Sequence, residues 1–110
     1  MNIMRKMAKQ LAGLIHASRS MVVFTGAGVS TESGIPDFRS PGGVWTRYQP
    51  VYYDEFMSSR QARVRYWAMK REFYSGMAEA KPNAAHLAIA ELHRLGKVAC
   101  LITQNIDGLH

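Results

Sequence analysis

Two short runs hold the residues most able to do chemistry. The first begins at Gly26-Ala27-Gly28 and continues through the hydroxyls Ser30, Thr31 and Ser33 to Gly34-Ile35-Pro36-Asp37-Phe38-Arg39. The second is Gln104-Asn105-Ile106-Asp107, a polar run directly after the apolar stretch Val98 to Thr103. Glycines at both ends of a tight turn let backbone N–H groups approach a ligand closely, and the amides that open a helix carry partial positive charge. The guest they suit is a phosphate, so the first expectation is a nucleotide site.

Taken alone, the glycine turn leaves that reading open. A dinucleotide fingerprint calls for a third glycine where Thr31 stands, and for an acidic residue about twenty positions on, which this chain lacks. No Gly-Lys-Ser/Thr triplet is present, which excludes a P-loop. A turn with no ligand competes with the nucleotide site until the elements around it are read.

Those elements are two strands and their connections. Met21 to Thr25 has the apolar, β-branched character of a buried parallel strand, and Ala27 to Ser33 allows about two helical turns before Gly34 and Pro36 interrupt them. Lys97 to Thr103 reads as a second buried strand, with Cys100 inside it. In open parallel sheets ligands lie just beyond the carboxyl ends of strands, where both polar runs begin. The connection between the strands is about seventy residues, much longer than a simple crossover, so Pro36 to Ala80 reads as a loop and helical insertion beside the sheet.

Within that insertion, Pro36 to Pro50 centres on Pro41-Gly42-Gly43 and is expected to be a flap with few backbone pairings. Asp54 to Met57 can form a short helical turn, and Ser59 can cap a longer helix through Gly76 with Tyr66, Met69, Phe73 and Met77 as its apolar stripe. Before the first strand, residues 3 to 18 form an amphipathic helix with Met4, Met7, Leu11, Leu14 and Ile15 on one face. Before the second strand, Pro82 suits the first position of a helix whose inner face is Ala85, Ala88, Ile89, Leu92 and Leu95, stopped by Gly96. His86 and His93 share one side of it and are expected at the rim, without a third ligand to make a metal site.

Length and composition fit this α/β arrangement. The chain has 110 residues, 47% of them apolar, enough for one small domain. A net charge of +6 favours anionic partners without choosing among them. The basic run Arg60, Arg63, Arg65, Lys70 and Arg71 fits a solvated helix face better than a nucleic-acid surface. One cysteine, Cys100, makes no disulfide within the chain and fits a reducing compartment; the localisation expected is cytoplasmic. No apolar segment is long enough to span a membrane. The basic N-terminus raises a targeting peptide as an alternative, but a packed first helix needs the same apolar stripe.

With both strand ends in hand, the blocks GAGVSTESGIPDFRS, KPNAAHLAIAEL and LITQNIDGLH, in this order and spacing, resemble the first half of a sirtuin, the NAD-dependent protein deacylase family. The resemblance implies an incomplete Rossmann-like parallel sheet containing the first two strands, with residues 1–110 as a partial NAD-binding domain and 36–80 as cofactor loop and helical insertion. It implies that Gly26, Ala27 and Gly28 hold the pyrophosphate of NAD, with Thr31 at the cofactor too. Phe38 would cover the nicotinamide ribose and exclude water, while Arg39 would face phosphate or ribose oxygens. Gln104 and Asn105 match residues beside that ribose, Asn105 carrying the catalytic assignment. Ile106 and Asp107 match the nicotinamide pocket, the carboxylate accepting from the carboxamide.

The same resemblance sets limits. The family's general-base histidine lies in a later His-Gly segment, and His110 is expected to be a rim residue of a helix that Asp107 to His110 begins. The family's zinc is expected, but its paired C-x-x-C ligands are absent, as are the Gly-Thr-Ser segment and the strand that pairs with the acyl-lysine peptide. The chain is therefore expected to be a truncated sirtuin, inactive alone and weak for NAD. Members that prefer acidic acyl groups resemble one another in a tyrosine followed three residues later by arginine; here Trp67 and Lys70 are the nearest analogue, which tilts the reading toward acetyl-lysine. The partner implied is an acylated-lysine protein or peptide. The alternatives are an ADP-ribosyltransferase using the same NAD cleavage, a non-catalytic NAD or ADP-ribose binding module, and a basic nucleic-acid-binding fragment.

Overall fold

The computed structural model describes residues 2–110. Eight short elements follow one another: α1 (Asn2–Ala17), β1 (Met21–Thr25), a 3₁₀ segment (Ala27–Ser33), a single 3₁₀ turn (Val44–Thr46), α2 (Tyr53–Ser58), α3 (Arg60–Glu79), α4 (Ala84–Arg94) and β2 (Val98–Thr103). The two strands pair in parallel. Met21 faces Val98, the register then slips by one, and Val22, Val23, Phe24 and Thr25 face Cys100, Leu101, Ile102 and Thr103. This is the incomplete α/β sheet that the sequence predicts, with the insertion between its strands.

Burial differs from expectation. The radius of gyration is 17.7 Å, against about 13 Å for a compact chain of this length. A parallel strand becomes fully buried only when both faces of its sheet are covered. Here Val22 and Phe24 remain 63% and 64% exposed, and Cys100 is exposed rather than buried. Helix α1 forms as predicted, yet Met4, Met7, Leu11 and Leu14 all face solvent. Its last carbonyls are held by Lys97, whose Nζ donates to His16 O at 2.9 Å and Ser18 O at 2.7 Å, a favourable place for a cation at a helix C-terminus.

The insertion is better ordered than a flap. Val44 N donates to Asp37 O at 2.7 Å, Trp45 N to Phe38 O at 3.0 Å, and the Asp37 carboxylate accepts from Ser40 N. Val44 is buried at the centre of these bonds, and the Phe38 and Trp45 rings lie 5.2 Å apart. The paucity of backbone pairings expected for Pro36 to Pro50 is therefore corrected: Asp37 acts as a hub that replaces a regular ladder. Ser59 caps α3 through Ala62 N as predicted, and the helix continues past Gly76 to Glu79, burying Met69 and half-burying Tyr66, Phe73 and Met77.

Helix α4 begins two residues later than Pro82 predicts. Asn83 is its N-cap, accepting from Ala85 N, while His86 Nδ1 accepts from Asn83 N at 3.0 Å. That is a capping box with histidine in the place of glutamate or glutamine. Pro82 stands outside the helix because a capping side chain, not a fixed φ, starts it. Beyond β2, residues 104–110 are irregular, so the expected helix start at Asp107 to His110 is not formed. Asp107 Oδ1 accepts from Leu109 N and Gly108 has φ 69°, a local turn that competes with helix.

Candidate functional site

The register of β1 on β2 sets the site. Because Thr25 is opposite Thr103, both strands end at the same level and their hydroxyls meet, Thr25 Oγ1 donating to Thr103 Oγ1 at 2.8 Å. Gln104 N extends the pairing by donating to Thr25 O. Asn105 then bridges back: its N donates to Thr103 Oγ1 at 3.1 Å and its Nδ2 to Gly26 O at 2.9 Å. The glycine turn and the polar run are thereby locked together, with the Asn105 side chain held by the backbone of the other loop.

A second tie lies deeper. Ser30 Oγ donates to Asp107 Oδ2 at 2.7 Å and is 3.3 Å from His86 Nε2. Since Asn83 N donates to His86 Nδ1, the ring proton sits on Nε2 and points at Ser30. Donors thus run in one direction, from Asn83 through His86 and Ser30 to Asp107. Asn83 Nδ2 also donates to Val29 O and Ser33 Oγ, fixing α4 to the 3₁₀ segment that carries Ser30.

Polar residues make up the buried centre here. Ser30 is 1% exposed, His86 3% and Thr25 7%, and no buried side-chain nitrogen or oxygen among the described residues lacks a partner. A satisfied polar cluster of this kind fixes geometry, because each unmade bond would cost the desolvation of its group.

Two adjoining cavities open beside these ties. The inner one, about 90 Å³, has Ala27, Ser30, Asn105, Ile106 and Asp107 in its wall and is closed on the insertion side by Met69, Phe73 and Met77. The outer one, about 430 Å³, is bounded by Gly28, Asp37, Arg39 and Trp45. Ala27, Phe38 and Gln104 line both. A Cβ on Gly28 would meet nothing within 4 Å, so the turn leaves open space over its backbone, while one on Gly26 would reach Gln104 Oε1 at 3.5 Å.

Nearly all of the residues singled out from the sequence fall on this paired cavity. Gly26 touches it through Asn105, and Ala27, Gly28, Phe38, Arg39, Gln104, Asn105, Ile106 and Asp107 line it directly. Thr31 does not: it is exposed, its Oγ1 donates to Gly28 O, and it borders a separate shallow groove with Pro36 and Asp37. His86 departs from the rim position expected for it, being buried against Ser30, while His93 is exposed. His110 is not on a helix; its Nε2 is 2.9 Å from Thr25 Oγ1 and its ring packs edge-on to His86.

Sequence reasoning missed His86 and Lys70 as members of the site, and named Ser30 in the first run without giving it a role there. The signal available for His86 was its place three residues after Asn83, the reciprocal position of a capping box. Lys70 lies at the inner cavity, 5.6 Å over the Tyr66 ring, and only the packing of α3 puts it there.

A profile described as the Sir2 family matches residues 26–110. Among curated relatives, an NAD-dependent protein deacetylase of Thermodesulfovibrio yellowstonii is 58% identical over 97 residues, covering 88% of this chain and 38% of its own length. One from Rhodopseudomonas palustris is 51% identical, covering 93% of this chain and 40% of its own. A solved Sir2 with a p53 peptide and NAD⁺ superposes with TM-score 0.75 at 40% identity, over 93% of this chain and 40% of that one. A Sir2 with a deacetylated p53 peptide and 3′-O-acetyl-ADP-ribose gives 0.82 at 41% identity, over 93% and 41%. The chain thus spans about 40% of the length of the relatives it matches. With its glycine turn, its Gln-Asn-Ile-Asp run and the paired cavity between them, the chain belongs to the Sir2 family.

Proposed function

We propose that this chain is the cofactor-binding half of an NAD-dependent protein lysine deacylase, acting on acetylated lysine in a protein or peptide. The observation that supports it is the convergence of Gly26, Ser30, Asn105 and Asp107 on one cavity from strand ends 77 or more positions apart. The names of the relatives, NAD-dependent protein deacetylases, supply the reaction class.

The residues present fit NAD. Gly26, Ala27 and Gly28 offer backbone and open space to the pyrophosphate, and Arg39 borders the outer cavity where its guanidinium meets phosphate or ribose oxygens. Thr31 lies outside this cavity and bears on the turn through its bond to Gly28 O. Phe38 stands between the two cavities, where its ring shields the reacting centre from water. Bound NAD supplies a glycosidic bond to nicotinamide whose cleavage opens the ribose carbon to the acyl oxygen of the substrate lysine. Gln104 and Asn105 orient the ribose beside that bond; with Asn105 Nδ2 occupied by Gly26 O, the side chain presents Oδ1. Ile106 gives the leaving ring an apolar wall, and Asp107 accepts from its carboxamide.

Zinc does not fit this chain. It has one cysteine, and among the described residues no group of three His, Cys, Asp or Glu is close enough to hold a metal ion. No helix among them is long and apolar enough to cross a membrane. The free thiol of Cys100 supports a reducing, cytoplasmic setting.

The test joins this chain to the part of the Thermodesulfovibrio yellowstonii deacetylase that it does not match. Incubated with NAD and an acetyl-lysine peptide, the chimera is expected to release nicotinamide and form O-acetyl-ADP-ribose, and Asn105→Ala to abolish both. Label transferred from NAD to a protein acceptor would replace the reading with ADP-ribosyl transfer. Binding of ADP-ribose with no nicotinamide release would leave a binding module.

A further inference from the structure

A cavity of about 160 Å³ lies between the Asp37 loop and α3, on the far side of the inner cofactor cavity. Ile35, Pro36, Val44, Phe73 and Met77 make its apolar walls. Glycines stand where side chains would fill it: Gly34 and Gly42 have φ of 89° and 79°, and a Cβ on Gly76 would meet nothing within 4 Å. The polar groups at its edge are Glu72, Arg47 and Tyr48, with the Glu72 carboxylate accepting from Arg47 on Oε1 and from the Tyr48 hydroxyl on Oε2.

The volume and lining define a guest. A protein cavity of about 150 Å³ with aliphatic and aromatic walls takes one benzene ring. Each carboxylate oxygen of Glu72 accepts one bond from the protein and has a second lone pair to offer, and Arg47 has further N–H donors at the same edge, so a hydroxyl on the ring, which both donates and accepts, is matched on both counts. We propose that this cavity is a second ligand site, taking a single neutral aromatic ring that bears an O–H donor, the hydroxyl at Glu72 and the ring against Phe73.

The site has a route to the cofactor. Ile35, Pro36, Phe73 and Met77 form a common wall, one face toward this cavity and the other toward Asn105 and Asp107. A ring that fixes those four side chains changes the shape of the inner cavity, so occupancy of one site alters affinity at the other by the same factor in both directions.

Phenol is the probe, titrated into the ¹⁵N-labelled chain. Saturable shifts are expected at the amides of Gly34, Gly42 and Gly76, with benzene, which has no donor, binding at least tenfold more weakly. Gly76→Leu places its side chain in the cavity from a helical position that accepts it, and is expected to lose the phenol response; Gly76→Ala, which leaves most of the space, keeps it within about fivefold. An ADP-ribose affinity that moves at least threefold with saturating phenol supports the common wall. No saturable shift in the wild-type chain, or an equal response in Gly76→Leu, overturns the site. Benzene as tight as phenol overturns the Glu72 contact, and an ADP-ribose affinity indifferent to phenol overturns the coupling. The phenol shifts need no nucleotide, so failure of ADP-ribose to bind would count against the cofactor reading and leave this site standing.

Discussion

Ser30 Oγ donates to Asp107 Oδ2 at 2.7 Å across 77 positions of sequence, and both groups face the inner cavity. The bond joins the two loop tips and aims a carboxylate that otherwise has only a local turn to hold it. Ser30→Ala removes a hydrogen bond to a charged acceptor, a contribution of about 1.5–3 kcal/mol. Affinity for NAD, whose carboxamide Asp107 is to receive, is expected to fall about tenfold with little change in helix content, measured by calorimetry and circular dichroism. Unchanged affinity would show that Asp107 needs no aim.

His86 has two separable roles, capping α4 through Nδ1 and meeting Ser30 through Nε2. His86→Ala loses both and should cost about 1–2 kcal/mol in urea unfolding. Glutamine at the same position restores a capping-box acceptor, so His86→Gln is expected to recover most of the stability while leaving Ser30 without its ring partner. Equal destabilisation by both changes would show that the bond to Ser30, not the cap, dominates.

Gly43 and Gly28 are expected to respond in opposite ways to alanine. A Cβ on Gly43 would lie 2.7 Å from Asp37 O, 2.8 Å from Asp37 Oδ1 and 2.9 Å from Ser40 O, all on a short stitched loop that cannot give way cheaply. Gly43→Ala should destabilise by about 1–3 kcal/mol. Gly28→Ala meets open space, so its unfolding midpoint should stay at the wild-type value, while its added methyl obstructs the outer cavity and weakens ADP-ribose binding. A stable Gly43→Ala, or a Gly28→Ala that binds normally, would contradict these placements.

Cys100 is predicted to react with Ellman's reagent in the native chain at close to the rate of a free thiol, since it stands exposed on β2. Reaction only after denaturant would mean that this sheet face is covered in solution.

How much of this was legible beforehand follows from what each feature depends on. The strands, the glycine turn, the Ser59 cap and the stripe Tyr66, Met69, Phe73, Met77 rest on local chemistry and periodicity, which a sequence carries in full. The burial of Val22, Phe24 and Cys100 was misread because β-branched, apolar runs state what a strand could bury, and only its neighbours decide whether it does. Asp37 as a hub, and His86 as a cap that reaches Ser30, were hidden because each acts through bonds whose other end lies elsewhere in the chain or on the backbone.

By itself, the sequence determined which residues could form a nucleotide site: two polar, turn-forming tips, each at the carboxyl end of a strand, and the family that carries them. Only the tertiary structure decided that the tips belong to one site. That decision rests on a single parallel register, Thr25 against Thr103, which brings Asn105 to Gly26 and Asp107 to Ser30. Register is a property of pairing between distant segments, and a shift of one residue would take Thr103, and with it the tip that bears Asn105 and Asp107, out of line with Thr25.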